Sequence, residues 1–331
     1  MLKFIAKRLG YAILVLLGVS LIIYFLTRLM PVDFVRNKVA GISTGGATVD
    51  TSMVDAMYES YGLVENATPL QILEGYVNWL GDLCRFDLGE SFLDGRPVAQ
   101  KIADNMGVSF IVAFIATIFE FLIAIPLGIT AATHQYKMRD YIVTIFVMIG
   151  ISLPAFFFGN VLRDLFSYKL GWFPAGGWGT AASTATGLSA LVEYVRTAVV
   201  PILTVVILSI GARMRMTRTN MLEVMNSDYI RTARAKGLAE RKVINKHAFR
   251  NTLIPLVTSM AGLLPGLFSG AIITETVFDL PGIGNVALSA MNAGDIPFIM
   301  GYNMFLAALS VMGILLADIM YGIVDPRVKL E

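Results

Sequence analysis

Residues 228–255 read DYIRTARAKGLAERKVINKHAFRNTLIP, a polar and basic segment between two long apolar runs. Asp228 places a negative charge in a first helical turn and Gly237 offers a left-handed stop, so the sequence predicts a short helix over residues 228–236. At ~1.5 Å per residue this helix would be about 13 Å long, a size suited to a groove on a partner protein. A second helix is predicted over residues 240–249. Such a segment outside the bilayer is expected to bind another protein.

The composition predicts an integral membrane protein. Hydrophobic residues make up 56% of the 331 residues and charged residues only 15%, and the mean hydropathy is +0.69. A soluble domain of this length would have difficulty covering so much apolar surface. We therefore expect an all-α fold with six transmembrane helices, because six apolar stretches can cross a hydrocarbon core of ~30 Å. These stretches are residues 9–30, 108–133, 141–165, 198–213, 253–273 and 300–324.

The basic residues are distributed unequally between the two sides of this predicted topology. If the N-terminus is cytoplasmic, 17 of the 26 Lys and Arg residues fall on that side, ten of them between Arg213 and Arg250. Loops on the cytoplasmic side of membrane proteins carry an excess of Lys and Arg. The sequence therefore predicts a multi-pass protein with both termini and the basic segment in the cytoplasm.

The basic segment resembles the coupling loop, called the EAA loop, of permease subunits of bacterial ABC importers, and specifically of the dipeptide and oligopeptide branch. RTARAKGL at residues 231–238 and HAFRNTLIP at residues 247–255 match the form of this branch, although the broader family has Glu where this chain has Arg231. WLGDLCRFDLGESF from Trp79 and ETVFDLPGIG from Glu275 are also similar to it. The resemblance covers nearly the whole chain.

The resemblance implies the type I importer permease fold and a place in the bacterial inner membrane. It implies three kinds of partner besides the lipid bilayer: a homologous second permease subunit, two cytoplasmic ATPase subunits that bind ATP and magnesium, and an external substrate-binding protein. Peptides are the substrate that it implies, with nickel, haem, glutathione or oligosaccharides as alternatives. It assigns coupling to the ATPase to Asp228, Tyr229, Arg231, Thr232, Ala233, Arg234, Ala235, Lys236 and Gly237.

Three regions are predicted along the chain. Residues 1–30 form the N-terminus and first span, residues 31–105 an external helical cap, and residues 106–331 a five-helix core with the coupling loop at 213–252. The cap is expected on the outer membrane surface, because residues 51–61 and 72–86 place apolar side chains at helical spacing. Its 11 acidic residues outnumber five basic ones. This surplus either follows the charge asymmetry or helps to dock the binding protein.

Two glutamates are candidates for the transport pathway. Glu120 lies near the middle of the second predicted span, where a carboxyl group is costly unless it faces protein or water. It either lines the pathway or joins two helices through hydrogen bonds. Glu275 lies at the end of the fifth predicted span, before a turn signal at Asp279 to Gly282. The run that follows is expected either to fold back toward the pathway or to form an ordered connection without substrate contact.

The sequence lacks the phosphate-loop motif of ATP-binding proteins and the HExxH motif of zinc hydrolases. It contains no GxxxxGK[ST] run, and only one Cys and two His residues. We therefore expect no enzyme activity, no bound cofactor or metal, and no nucleic acid partner. A secondary transporter or channel is the competing class; it would show an inverted repeat and several buried ionisable groups.

Overall fold

The computed structural model describes residues 2–29, 34–35, 68–178, 188–259 and 262–324. The predicted helix at 51–61 lies outside these residues. Within the described part, the only β pairing is an isolated bridge between Glu90 and Pro97. In chain order the helices are α1 (Leu2–Arg28), α2 (Pro69–Cys84), α3 (Val98–Thr133), α4 (Met138–Ser152), α5 (Ala155–Arg163), α6 (Leu188–Met225), α7 (Asp228–Ala235), α8 (Glu240–Lys242), α9 (Phe249–Ser259), α10 (Leu263–Phe268), α11 (Ile272–Val277), α12 (Ile283–Ala293) and α13 (Ile296–Val324).

Four helices are long and apolar enough to cross a membrane within the described residues. They contain the stretches Lys7–Arg28, Val98–Thr133, Leu188–Met225 and Ile296–Met320. A fifth crossing is formed if α4 and α5, with the π-helical turn Asp164–Lys169 that continues α5, count as one broken span. The fifth predicted span, over residues 253–273, is divided among the short helices α9, α10 and α11. The count of six therefore stays a prediction.

The third predicted span bends sharply at Pro154. α4 ends at Ser152, α5 begins at Ala155, and their axes differ by 99°. A residue before proline is pushed out of the helical region, and Leu153 has extended angles of φ −94° and ψ 137°. This one dipeptide accounts for the bend.

The central pair of the fold is α3 against α6. Their contact is built from small side chains, including Ala116, Ala124 and Ala131, which are buried against Val206, Ile210 and Met214. At Gly128 an added Cβ would lie 2.7 Å from the Thr217 Cβ, so only glycine allows this approach of the two helices. Small residues are what membrane helices use to pack closely. The pair positions the side chains of the membrane cavity described below.

Two predicted boundaries differ from the observed helices. α3 begins at Val98, so the limit drawn between residues 105 and 106 falls inside a helix. The predicted fourth span, 198–213, is the middle part of a 38-residue helix, α6. The apolar window stopped at Arg213 because arginine is costly in a bilayer. The helix continues because this arginine has a partner within the fold.

Candidate functional site

Helix α7 is attached to the rest of the chain by two side chains on one face. Ile230 is fully buried and Ala233 nearly so, in a cluster with Met221 of α6 and with Val243 and Ala248 of the π-helical stretch that follows α8. The spacing of three residues puts both on the same side of the helix. α7 is therefore held against the end of α6 by apolar packing.

The other side chains of α7 are exposed. Tyr229 has 48% of its surface exposed. Other exposed residues of the predicted coupling set are Asp228, Arg231, Thr232, Arg234, Ala235, Lys236 and Gly237. Only Ala233 of that set is buried. The helix thus presents an aromatic ring and several cations on one short surface.

The turn after α7 depends on Gly237. This residue has φ +75°, and its N–H donates to the carbonyl oxygen of Arg234 at 2.9 Å. An added Cβ would meet no atom within 4 Å. Glycine is therefore required by the backbone conformation and not by lack of space within the chain. The predicted left-handed stop at this position is confirmed.

An ion pair closes this turn. The guanidinium of Arg234 donates from Nη2 to Oε1 of Glu240 at 2.8 Å and from Nε to Oε2 at 3.2 Å. Hydrogen bonding from Arg234 holds the pKa of Glu240 below its ordinary value of 4.5. Both side chains are partly exposed, so solvent screening keeps the contribution small. Arg234 therefore stabilises the turn through Glu240 and is also partly exposed to solvent.

A second ion pair fixes the nearby end of α4 to α6. Arg218 donates to both carboxylate oxygens of Asp140, at 2.9 and 2.8 Å. Asp140 is buried and also accepts from the backbone N–H of Tyr136 at 3.1 Å. A two-point contact of this kind fixes direction as well as distance. It links the connection between α3 and α4 to the helix that leads to α7.

Glu120 is buried in α3 and has a cationic partner in α6. Nε of Arg213 donates to its Oε1 at 3.0 Å, and Nη1 of Arg213 donates to the hydroxyl of Ser259 in α9 at 2.8 Å. The guanidinium also lies 4.5 Å from the centre of the Phe121 ring. Arg213 therefore connects α3, α6 and α9 at one point inside the membrane.

Glu275 is the most completely enclosed acid of the predicted set, with 2% of its surface exposed. Its Oε1 accepts from the Ser109 hydroxyl at 2.7 Å and from the Ala271 N–H at 3.1 Å, and its Oε2 accepts from the Asn285 N–H at 2.9 Å. Ser109 in turn accepts from the Ile283 N–H at 2.9 Å. Two first-turn N–H groups of α12, those of Ile283 and Asn285, thus donate to side chains from α3 and α11.

Three glycines make room for this carboxyl group. A Cβ added at Gly270, Gly282 or Gly284 would approach its oxygens closely enough to overlap them. The N-terminus of α12 directs its positive dipole end at the same oxygens. The PGIG turn follows Glu275 at a distance in the sequence that lets its glycine backbone surround the carboxyl group.

Both glutamates line one cavity of about 180 Å³ between α3, α6 and the segment 262–275. Polar groups from Ser109, Thr117 and Ser209 line it as well. Most of the remaining lining is apolar, and the volume is enough for several water molecules. A larger space of about 720 Å³ lies between α3 and α6, but it is lined by apolar and aromatic side chains and contains none of the predicted site residues.

Comparison with known proteins decides the class of this chain. A family model described as "Binding-protein-dependent transport system inner membrane component" matches residues 124–330, more than half of the chain. This chain belongs to that family. A putative peptide transport system permease protein of Brucella abortus (strain 2308) is 35% identical over 331 residues and covers 100% of both chains. The oligopeptide transport system permease protein AppB of Bacillus subtilis (strain 168) is 32% identical and covers 99% of this chain and 100% of the relative.

A solved structure supports the fold of this inner membrane component. A chain from a structure of inward-facing conformations of the MetNI methionine ABC transporter aligns with a TM-score of 0.51 over 69% of this chain and 97% of that chain. The two sequences are 17% identical, so the likeness concerns the fold alone. The expected all-α importer permease fold is confirmed, and the family and the apolar helices make this a multi-pass membrane protein.

The structure separates the predicted site residues of this inner membrane component into two places. The coupling set lies together on α7 and the turn after it, while Glu120 and Glu275 line the membrane cavity. Sequence reasoning missed the ion pairs of Arg213 and Arg218, which it counted only as basic residues of the cytoplasmic side, and it did not consider Asp140. The sequence did hold a clue to these pairs. If α6 is extended beyond Arg213, both arginines lie on a helix and can reach acids of neighbouring helices, Glu120 and Asp140.

Proposed function

We propose that this chain forms half of the translocation pathway of an ATP-driven importer for di- or oligopeptides. The observation that carries the proposal is the exposed face of α7, a short helix that is fixed to α6 from behind and ends at a glycine with positive φ. The relatives named as peptide and oligopeptide permeases favour peptides as the substrate. A short helix that inserts into a groove of a partner is a common mode of protein–protein binding, and α7 has a suitable exposed surface.

The proposed assembly contains a second permease chain, two cytoplasmic ATPase subunits with ATP and magnesium, and an external binding protein that delivers the peptide. The excess of basic residues around α7 supports a cytoplasmic position for this helix and for both termini. Closure of the ATPases on ATP would move α7, and the central helices would then alternate between two arrangements. The cavity that Glu120 and Glu275 line would place two carboxyl groups beside this pathway.

The experiment is a substitution series at Gly237 in the complete complex, reconstituted in proteoliposomes. A left-handed conformation costs an ordinary L-residue about 1–2 kcal/mol, while Asn adopts it more readily. Gly237→Asn should therefore keep most of the ATPase stimulation by peptide-loaded binding protein. Gly237→Ala should lose part of it and Gly237→Val most of it, since ~1.4 kcal/mol changes a population about tenfold.

Gly107→Ala is the matched control, because Gly107 also has no neighbour within 4 Å of an added Cβ but lies inside α3. It should leave stimulation and uptake of labelled peptides unchanged. If Gly237→Val retains full stimulation and uptake in an assembled complex, α7 does not transmit force. If stimulation is normal but no peptide accumulates with any loaded binding protein, the coupling proposal stands and the peptide assignment is wrong.

A further inference from the structure

Helix α2 has three distinct faces. At about 100° per residue, one arc of the helix packs against α1 and α13. Its members are Ile72, Tyr76, Trp79 and Leu80, which lie in a cluster with Tyr24 and Met300. A second, adjacent arc is apolar but exposed and consists of Leu70, Leu73, Val77 and Cys84. The third arc is exposed and polar and consists of Gln71, Glu74, Asn78 and Asp82.

The packing arc places α2 beside the membrane-spanning part of α1. The hydroxyl of Tyr76 lies 3.0 Å from that of Ser20. Ser20 is eight residues before Arg28, the end of the apolar stretch, and at ~1.5 Å per residue it lies about 12 Å inside that end. The Tyr24 ring, one turn above, contacts the Tyr76 ring with centroids 5.4 Å apart. The helix is therefore at the level of the bilayer and not above it.

Both helices of this contact carry exposed apolar side chains. Leu21 and Leu26 of α1 are 47% and 59% exposed, and Leu73 and Val77 of α2 are 54% and 58% exposed. Such exposure is unusual for large apolar residues that face water in a cluster, but is expected for residues that face lipid. The polar arc of the same helix points away from this surface.

Phe86, just after α2, is another exposed apolar side chain of this region. It is 91% exposed and has φ +62°, a conformation that is rare for a bulky residue. Aromatic rings are enriched where membrane proteins meet the interface between lipid and water. A ring held in this conformation and exposed at the end of an apolar arc fits contact with lipid.

We propose that α2 is an interfacial helix whose arc of Leu70, Leu73 and Val77 contacts the lipid of the leaflet at the Arg28 end of α1. The polar arc with Glu74 and Asn78 then faces water. The occupant is lipid, because α2 packs against the apolar stretch of a membrane span whose own exposed side chains are apolar. In the orientation proposed above, this is the outer leaflet. The lipid contact itself rests on α1 and α2 alone, and it does not require the proposed transport function.

The test compares two adjacent residues. In the full-length chain with Cys84→Ser, a single cysteine is introduced by Val77→Cys or by Asn78→Cys and labelled with bimane in phospholipid nanodiscs. Nanodiscs with nitroxide-labelled phosphatidylcholine should quench the label at residue 77 more strongly than at residue 78. Iodide in the water should show the reverse order. The emission at residue 77 should also be shifted to shorter wavelength.

Leu73→Cys and Glu74→Cys form a second pair, which should repeat the result one turn earlier. Samples are compared only if they elute as a single species, so that a misfolded variant is not scored. Equal quenching by iodide at residues 77 and 78 would overturn the proposal, because both would then face water. Quenching at residue 77 by neither agent would overturn it too, because protein would then cover the arc. Protection from iodide that appears only after addition of a binding protein would show a protein surface instead.

Discussion

Replacing Glu275 by Gln should destabilise the chain where α11, α12 and α3 meet. The carboxyl group accepts three hydrogen bonds, two on Oε1 and one on Oε2. A carboxamide has one accepting oxygen and one NH₂ group, and the NH₂ group can only donate. In the better orientation the oxygen keeps Ser109 and Ala271, and the NH₂ group then faces the N–H of Asn285. The substitution keeps the shape of the side chain and changes only its hydrogen bonding.

The magnitude follows from these three contacts. A buried N–H left without a partner costs about 1–3 kcal/mol. The two remaining hydrogen bonds lose the strength given by a charged acceptor, which is roughly 1 kcal/mol each. The interaction with the N-terminus of α12 is lost as well, at about 0.3–1 kcal/mol. These terms share one site and are not additive, so we expect a total of about 3 kcal/mol.

Thermal unfolding of the purified chain in nanodiscs measures this loss. A change of about 3 kcal/mol should lower Tm by at least about 5 °C. Glu74→Gln is the control, because Glu74 is exposed on α2 and its change should be within about 0.5 kcal/mol of neutral. Equal Tm values for Glu275→Gln and the unsubstituted protein would refute the reasoning, since the three hydrogen bonds would then contribute nothing.

Two further predictions concern ion pairs. Arg213→Gln should lower the free energy of unfolding by about 3–5 kcal/mol, because it leaves Glu120 buried without a cation. Adding Glu120→Gln should restore much of the Tm. Additive losses in the double variant would contradict a direct pair. Because the pKa of Glu240 is lowered in the folded chain, the Arg234 pair should stabilise the turn above pH 4.5 and be lost as the pH falls through the lower folded value. Hydrogen exchange of α7 should therefore be constant from pH 6 to 8 after correction for intrinsic rates, and Arg234→Glu should speed it at those pH values. Restoration of the slow exchange by Glu240→Arg in the same chain would support the pair, and a double variant as fast as the single one would contradict it.

The parts of the structure that follow from local chemistry were predictable from the sequence. The apolar run at the start gives α1, and the Leu153-Pro154 dipeptide gives the bend between α4 and α5, because proline restricts the residue before it. The stop after α7 was predictable at Gly237, since glycine is the residue that adopts positive φ without strain. In each case one or two neighbouring residues determine the outcome.

The parts that depend on distant residues were not predictable in the same way. The predicted fourth span ended at Arg213 because mean hydropathy is calculated over neighbouring residues only. The partner of Arg213, Glu120, lies 93 positions away in the sequence and does not enter that calculation. The enclosure of Glu275 by Ser109 and by the glycines of the following turn also requires the fold. The sequence predicted a turn after Glu275 but did not show that its glycines make room for the Glu275 carboxyl group.

The length of α6 has a mechanical consequence. Its 38 residues form one continuous helix, which at ~1.5 Å per residue is about 57 Å long, nearly twice the thickness of the hydrocarbon core. If a helix of that length moves as one body, a tilt of about 5° about one end moves the other end by about 5 Å. α7 is packed against one end of α6, and the Trp178 ring contacts the Tyr194 ring near the other end. In the coupling proposed above, a movement of α7 would therefore reach the other side of the bilayer by leverage along α6.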